Sequence, residues 1–501
     1  MRCETHPRVS HRTDLRKTLM PEPSDTRLSR SERWKLVVLL SASFLLAVDF
    51  SVLNVALPEI GRDVGIEVAG LQWIITAFAL PSAGLGLLFG RLGDLVGRRL
   101  LFFLGIALLG AGSLMGGLAD TAWFLIVGRV IQGLGAAAVA PTALSLLTTS
   151  FEEGPRRARA LGINGALISA GFTTGALLGG LLTAGLSWRA AFLINVPIAV
   201  IVLIFTPILF TETRPATKPR LDLAGALLIS AGLTSLVFGL TIAGDTGLAH
   251  PDPYPWLAGA IVLFVVFFLV EARTKEPLVA VAVLRRRTVA FGNLAGLTTF
   301  SMMSSLTYLL TLYLQDVLLM GAVLTGVMIA VIGAVSVVAA NFTPRIIGRY
   351  GQKALVVTAL IFQGAGTLLI AVAGAHGLSW AIALAGIVIG ALGHIGTIVG
   401  YTVTATSGLP DSEQGLATGL TTTSQQVGLA LGTPLIASVL AAGLAGSGQA
   451  GTSGLLGGLT VAIVVNGLLV LAAAVAVAVF LPGQRRTATP AEPAETVEAH
   501  A

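Results

Sequence analysis

The chain of 501 residues has a single cysteine, Cys3, and only 11% of its residues are charged. One cysteine in a polar tail excludes a disulfide framework and a cysteine metal site. So few charges beside 54% apolar residues cannot cover a soluble domain, and the mean hydropathy of +0.87 agrees. A G-x-x-x-x-G-K-[S/T] phosphate loop, a His-x-x-x-His pair and a loop long enough for a soluble catalytic domain are all missing. These gaps argue against an enzyme, an ATP-driven pump and any bound metal or other cofactor. No short apolar core precedes a small-residue cleavage site near the start, so the first apolar run is expected to be retained.

What the chain does have is apolar runs, fourteen of them. They lie near 34–57, 70–90, 100–119, 123–149, 160–185, 190–211, 222–244, 256–270, 290–315, 323–344, 354–374, 378–406, 415–443 and 456–481. Each reaches or approaches the roughly 20 residues that cross a bilayer core; the eighth is the shortest. They lack the alternation of barrel strands, and the 60 glycines suit helices packed backbone to backbone. The expected fold is an all-α integral membrane protein with 14 transmembrane helices.

Charge gives the orientation. All of the 31 basic residues except Arg62, Arg129 and Arg189 fall in the two tails or in alternate loops. This is the positive-inside pattern, which puts both termini in the cytoplasm and the chain in the cytoplasmic membrane as a multi-pass protein. The pI near 9.8 therefore reflects topology and not a nucleic-acid partner.

One carboxylate breaks the apolar rule. Asp49 lies about 12 Å below the end of the first run, at about 1.5 Å rise per residue. A charge at that depth costs a few kcal/mol or more and marks a functional-site candidate. Arg129 lies roughly 9 Å deep in the fourth run by the same rise. Opposite charges at similar depth are each other's expected partners. A neighbouring arginine favours the carboxylate and desolvation disfavours it, so Asp49 can load and release a proton, which Arg129 cannot. Glu59, Asp222, Asp245, Glu271 and Asp316 all fall at the ends of runs. With no second deep anion, a neutral or singly charged lipophilic substrate is better supported than a dication. His394 is the other deep titratable group besides tyrosines; Tyr308, Tyr313, Gln315 and Phe300 are candidates to line the C-terminal half.

Repetition gives the architecture. Gly90-Arg91-Leu92-Gly93-Asp94-Leu95-Val96-Gly97-Arg98-Arg99 joins runs two and three, and a degraded echo, Arg345 to Lys353, joins runs ten and eleven. Two six-helix bundles, 34–211 and 290–481, would then flank a linker, 212–289, carrying a two-helix insert. Polar tails, 1–33 and 482–501, complete the chain. Parallel halves around a midplane site is a transporter plan.

The decapeptide 90–99 resembles the loop signature of the major facilitator superfamily. Asp49, Asn54 and Pro58 match the first-span signature of its fourteen-span drug:proton antiporter branch, as Arg129 and Gln132-Gly133 match the fourth-span one. Ser187-Trp188-Arg189, Phe192 to Pro197 and Tyr313-Leu314-Gln315 fit the same branch. The resemblance implies two bundles of the major facilitator type and proton-coupled efflux of a lipophilic drug or antibiotic. It further implies a conformational latch at Gly90, Asp94, Gly97, Arg98 and Arg99, and adds Asn54 and Gln132 to the cavity candidates. Gly171, Gly175, Gly179 and Gly180 resemble the fifth-span antiport motif, with Ala176 where proline is usual. The spacing by four keeps a smooth packing face; the proline kink is lost. A monomer driven by the proton gradient is expected. An importer of a small metabolite and a non-transporting receptor remain the alternatives.

Overall fold

The computed structural model describes residues 29–482 apart from 152–154, 213–221, 248–249, 275–282, 284, 376, 408–410 and 448–450. Every regular element among the described residues is helical. The polar tails 1–28 and 483–501 lie outside them.

Helix α1 (Arg30–Val64) opens on a capping box, in which Glu32 N–H donates to Ser29 Oγ at 3.2 Å and Ser29 N–H to the Glu32 carboxylate at 2.7 Å. It stops at Gly65, whose φ of 74° a side chain would resist. Then come α2 (Gln72–Val96), α3 (Arg98–Gly117), α4 (Ala122–Ser150) and α5 (Pro155–Gly185). A short α6 (Trp188–Leu193) runs into α7 (Asn195–Leu209). Next are α8 (Leu223–Thr246), α9 (Pro253–Glu271) and α10 (Arg287–Leu312), which continues as a π turn over Tyr313–Val317. The chain closes with α11 (Ala322–Ala340), α12 (Thr343–Tyr350), α13 (Gln352–Ala371), α14 (Ser379–Thr406), α15 (Asp411–Ser447) and α16 (Gly451–Phe480).

Among the described residues, 12 helical stretches are long and apolar enough to cross a membrane. They include both helices of the 212–289 segment, α8 and α9, and the joined pair α6–α7. Helices α2, of 25 residues, and α5, of 31, stand beside that set. Two packing groups emerge. Helix α4 packs on α2 and α3, and α1 packs on α5, α4 and α7. In the second group α14 packs on α13, and α10 on α14, α15 and α16. Helix α10 is the most enclosed span, with 89% of its most apolar window buried.

Two seams join the groups. On one side α5 lies against α11. On the other, α8 sits between α2 and α15 and carries α9 on its outer face. Buried Gln72 fixes that wedge by donating from Nε2 to the Thr241 carbonyl at 3.1 Å, and Phe238 meets Trp73 and Trp256 edge-on.

The glycine face of α5 works by close approach. A Cβ on Gly171 would lie 2.8 Å from Ala47 Cβ, and one on Gly175 the same distance from the Val48 carbonyl. Gly179 faces the Val52 carbonyl in the same row, while Gly180 turns to α11, where a Cβ would lie 2.6 Å from the Ala322 carbonyl. Ser51 adds a hydroxyl bond to the Phe172 carbonyl at 2.7 Å. Gly428 repeats this approach on α10, 2.7 Å from the Leu297 carbonyl by the same measure, and Gly432 faces the Ser301 carbonyl. Thus α15 lies on α10 as α5 lies on α1.

Gly175→Leu should push α5 off α1 and cost roughly 1–3 kcal/mol, as overpacking of a tight contact does. Gly185→Ala, where a Cβ meets nothing within 4 Å, should change little. Size-exclusion profiles after graded heating would compare them; equal losses would show that the close approach is not what sets stability.

Candidate functional site

Asp49 is fully buried on α1, and three side chains from two other helices converge on its carboxylate. Arg129 Nη1 donates to Oδ2 at 2.7 Å. Gln132 Nε2 and Asn195 Nδ2 both donate to Oδ1, at 3.0 and 2.7 Å. Arg129 and Gln132 stand three residues apart on α4 and so share a face. Asn195 begins α7, just after the break at Ile194.

The rest of the network fixes these donors. Arg129 Nε donates to the Ile74 carbonyl at 2.9 Å, its Nη1 also reaches Gln132 Oε1 at 2.9 Å, and its guanidinium lies 4.4 Å from the Phe78 ring centre. Gln132 therefore turns its oxygen to the cation and its nitrogen to the anion. Ser113 Oγ, on α3, accepts from Gln132 at 2.7 Å and from Asn195 at 3.4 Å. Gly112 permits the arrangement: a Cβ there would sit 2.6 Å from the Gly128 carbonyl and 2.7 Å from Gln132. Burying two charges is costly, and only such geometry with added hydrogen bonds offsets the desolvation. Asn195 Oδ1, buried, has no hydrogen-bond partner.

The other candidate residues lie elsewhere. Asn54 donates to the Phe50 carbonyl one turn back, at 2.7 Å. Tyr308 and Tyr313 are buried, with hydroxyls donating to the Val68 carbonyl at 3.4 Å and the Gly374 carbonyl at 2.7 Å. Gln315 donates to the Val55 carbonyl at 2.7 Å. His394 Nδ1 meets Thr299 Oγ1 at 2.9 Å, and Phe300 meets the His394 ring edge-on. These residues are thus distant in the network from the Asp49 carboxylate.

At the 90–99 loop, Gly97 takes a φ of 122°, which turns α2 sharply into α3. Gly90 faces Pro141, at 3.4 Å from a would-be Cβ. The backbone N–H groups of Arg99 and Leu100 donate to Glu212, at 3.3 and 3.1 Å, and Arg99 Nη2 donates to the Pro207 carbonyl at 3.3 Å. Glu212, just beyond α7, thus caps α3 from a distance and opposes its dipole. The Asp94 side chain lies outside the described residues, and Arg98 is partly buried.

The opposite end carries a second charged cluster. Arg189 donates to Asp63 at 2.7 Å, Asp120 at 3.1 Å and the Ala119 carbonyl at 2.9 Å, while Trp188 Nε1 donates to Asp63 at 2.9 Å. Arg62 pairs with Asp316 at 3.0 Å, tying α1 to the π turn after α10.

Sequence reasoning missed Ser113, Asn195 as an Asp49 ligand, and Glu212. Asn195 had a signal, since it sits in the Phe192–Pro197 block. Ser113 is one hydroxyl in an apolar run, and Glu212 lies in a polar linker; neither stands out without the fold.

The family model for the Major Facilitator Superfamily matches residues 39–433. The cephamycin export protein CmcT of Amycolatopsis lactamdurans is 37% identical over 431 residues, covering 82% of this chain and 86% of that one. The puromycin resistance protein of Streptomyces alboniger is 36% identical over 461 residues, covering 88% and 90%. Among solved structures, an auto-inhibited POT family peptide transporter aligns with a TM-score of 0.68 at 17% identity, covering 92% of this chain and 99% of that one. A bacterial homologue of the lysosomal transporter Spinster, inward-facing and unoccupied, aligns with 0.64 at 16%, covering 90% and 97%. The latter two speak for fold alone. The chain belongs to the Major Facilitator Superfamily.

Proposed function

We propose that the protein is a proton-coupled exporter that expels a lipophilic small molecule, such as an antibiotic, across the cytoplasmic membrane. The observation that carries this reading is the buried Asp49–Arg129 pair inside membrane-spanning helices. The names of the export and resistance relatives support the direction of transport. With α2 and α5 counted as spans, α6–α7 as one and α12 as a surface helix, the chain crosses fourteen times. Domain boundaries then follow as 34–211 and 290–481, with α8 and α9 as the insert. Both termini are cytoplasmic, the working unit is a monomer, and the proton gradient drives transport without a cofactor.

In this arrangement one oxygen of Asp49 accepts from Arg129 and the other from both amides. A proton arriving from outside needs an acceptor for its new O–H. Asn195 Oδ1 supplies one, because turning that amide exchanges a donor for an unpartnered oxygen. Arg129 keeps its bonds to Ile74 and Gln132, so the cation is not orphaned when Asp49 is neutralised. The proton leaves Asp49 toward the cytoplasm, and the carboxylate re-forms its bond with Arg129. The Arg62–Asp316 and Gln315–Val55 contacts hold the outer end shut in the inward-facing state and part when cargo leaves. The 90–99 loop, braced within the N-terminal group by Glu212, is the latch that engages the cytoplasmic end in the outward-facing state.

Asp49→Asn should fold, since the amide keeps the volume, yet show no uphill efflux in vesicles with an imposed pH gradient. Gradient-driven accumulation at the wild-type level would remove Asp49 from coupling. Asn195→Leu should cut uphill efflux roughly tenfold or more, the scale of a lost hydrogen bond to a charged group, and Ser113→Ala should cut it less. Matching rates for the two variants would count against the turning amide. Glu212→Ala should slow turnover while substrate affinity stays within about twofold, because the cap is worth roughly 0.5–2 kcal/mol at a site far from the cargo. Parallel titrations of binding and transport would separate the two effects.

A further inference from the structure

The geometry points to His394 as a hydrogen-bond acceptor for cargo that carries N–H or O–H groups, a specificity element in the half of the molecule opposite Asp49. This rests on the reading of the protein as an exporter of lipophilic molecules and names what that cargo should present.

Three side chains have roles that are forced in turn. Gln363, buried on α13, donates from Nε2 to the Thr299 carbonyl at 3.1 Å, which fixes the sense of its amide. Its Oε1 is therefore the atom facing Thr299 Oγ1, and an amide oxygen can only accept. The single Thr299 hydroxyl proton is spent on that bond, at 2.5 Å. Toward His394 Nδ1, 2.9 Å away, Thr299 Oγ1 can offer only a lone pair. Nδ1 must carry the hydrogen. In a neutral imidazole the other nitrogen, Nε2, is then a bare acceptor. Thr299 and Gln363 are buried, so water does not relax this order.

Among the described residues Nε2 has no hydrogen-bond partner, and His394 is half-buried. The side chain leans toward α10, through its bond to Thr299 and the Phe300 ring 5.5 Å from its own. His394 lies midway along α14, and an ionisable group inside a span faces the bundle interior or a cavity and not lipid, so Nε2, on the ring edge turned away from Thr299, opens inward. Phe300 also meets Tyr401 edge-on at 6.2 Å, which gives the acceptor an aromatic wall. An unfilled acceptor in low dielectric is costly and is satisfied by a donor on the cargo. A planar aromatic molecule bearing an amine or hydroxyl hydrogen fits both features; its fully alkylated analogue offers the wall nothing to donate.

The test uses two lipophilic fluorescent rhodamine ethyl esters, one with secondary ring amines that carry N–H and one whose amines are fully ethylated. Their affinities for the purified full-length protein are measured by fluorescence anisotropy, so the result does not depend on proton coupling. Wild type should bind the N–H dye roughly five- to tenfold more tightly than the ethylated one, the scale of one net hydrogen bond. His394→Asn keeps a donor near Thr299 and removes the group at the Nε2 position, and the preference should vanish. His394→Gln places an amide oxygen near the Nε2 position, and most of the preference should persist. Equal affinities in wild type, no binding of either dye, a preference that survives in His394→Asn, or equal loss in both variants would overturn the proposal. A preference that behaves as expected in a protein showing no pH-driven efflux would sustain this site and sink the coupled-exporter reading instead.

Discussion

Everything in the N-terminal group is arranged so that a carboxylate and a guanidinium can stay charged and in contact where neither is hydrated. The Asp49–Arg129 contact of 2.7 Å would be a liability by itself, since desolvation can exceed the attraction. It is sustained because Gln132 and Asn195 donate to the carboxylate while the Ile74 carbonyl and Gln132 Oε1 accept from the guanidinium. With Asp49 on α1 and Arg129 and Gln132 on α4, these partners draw in α2 and α7 as well, so the ion pair bears on how all four helices meet.

The second group repeats the scaffold without the charge. Gly428 and Gly432 bring α15 onto α10 as Gly171 and Gly175 bring α5 onto α1. As Asp49 follows Val48, so Met302 follows Ser301, and the buried amide there is Asn466, which donates to the Met302 carbonyl at 3.0 Å and to Ser305 Oγ at 2.8 Å. An amide on a neighbouring helix is kept, but the acid has become methionine. The polar cluster of this group is instead Thr299, Gln363 and His394, which is neutral.

The 212–289 segment does more than connect. Helix α8 fills the seam between α2 and α15 and is fixed there by Gln72 and by Val237 packed among Ala79, Ala83 and Ala430. Among the described residues the opposite seam, α5 on α11, has no such wedge and relies on glycine contact at Gly180 and Gly326.

How much was legible in advance depended on rarity. A carboxylate and a guanidinium in apolar runs announce themselves because the bilayer tolerates so few, and their similar depths suggest the pairing. The glycine spacing on α5 announces a packing face, because small residues every fourth position have one evident use. Tyr308, Tyr313 and Gln315 resist such reading: an aromatic or amide group can line a cavity or donate to a backbone carbonyl, and here all three donate to carbonyls. By itself the sequence determined that the chain is helical and membrane-embedded, and that Asp49 and Arg129 are charges set deep in its apolar runs, since composition and depth act locally. Only the tertiary structure decided that Ser113 and Asn195 complete the carboxylate's surroundings and that Glu212 caps α3. Apart from Ser113–Gln132, 19 positions apart, those contacts join residues 82 to 146 positions apart, and no local pattern encodes which helices meet.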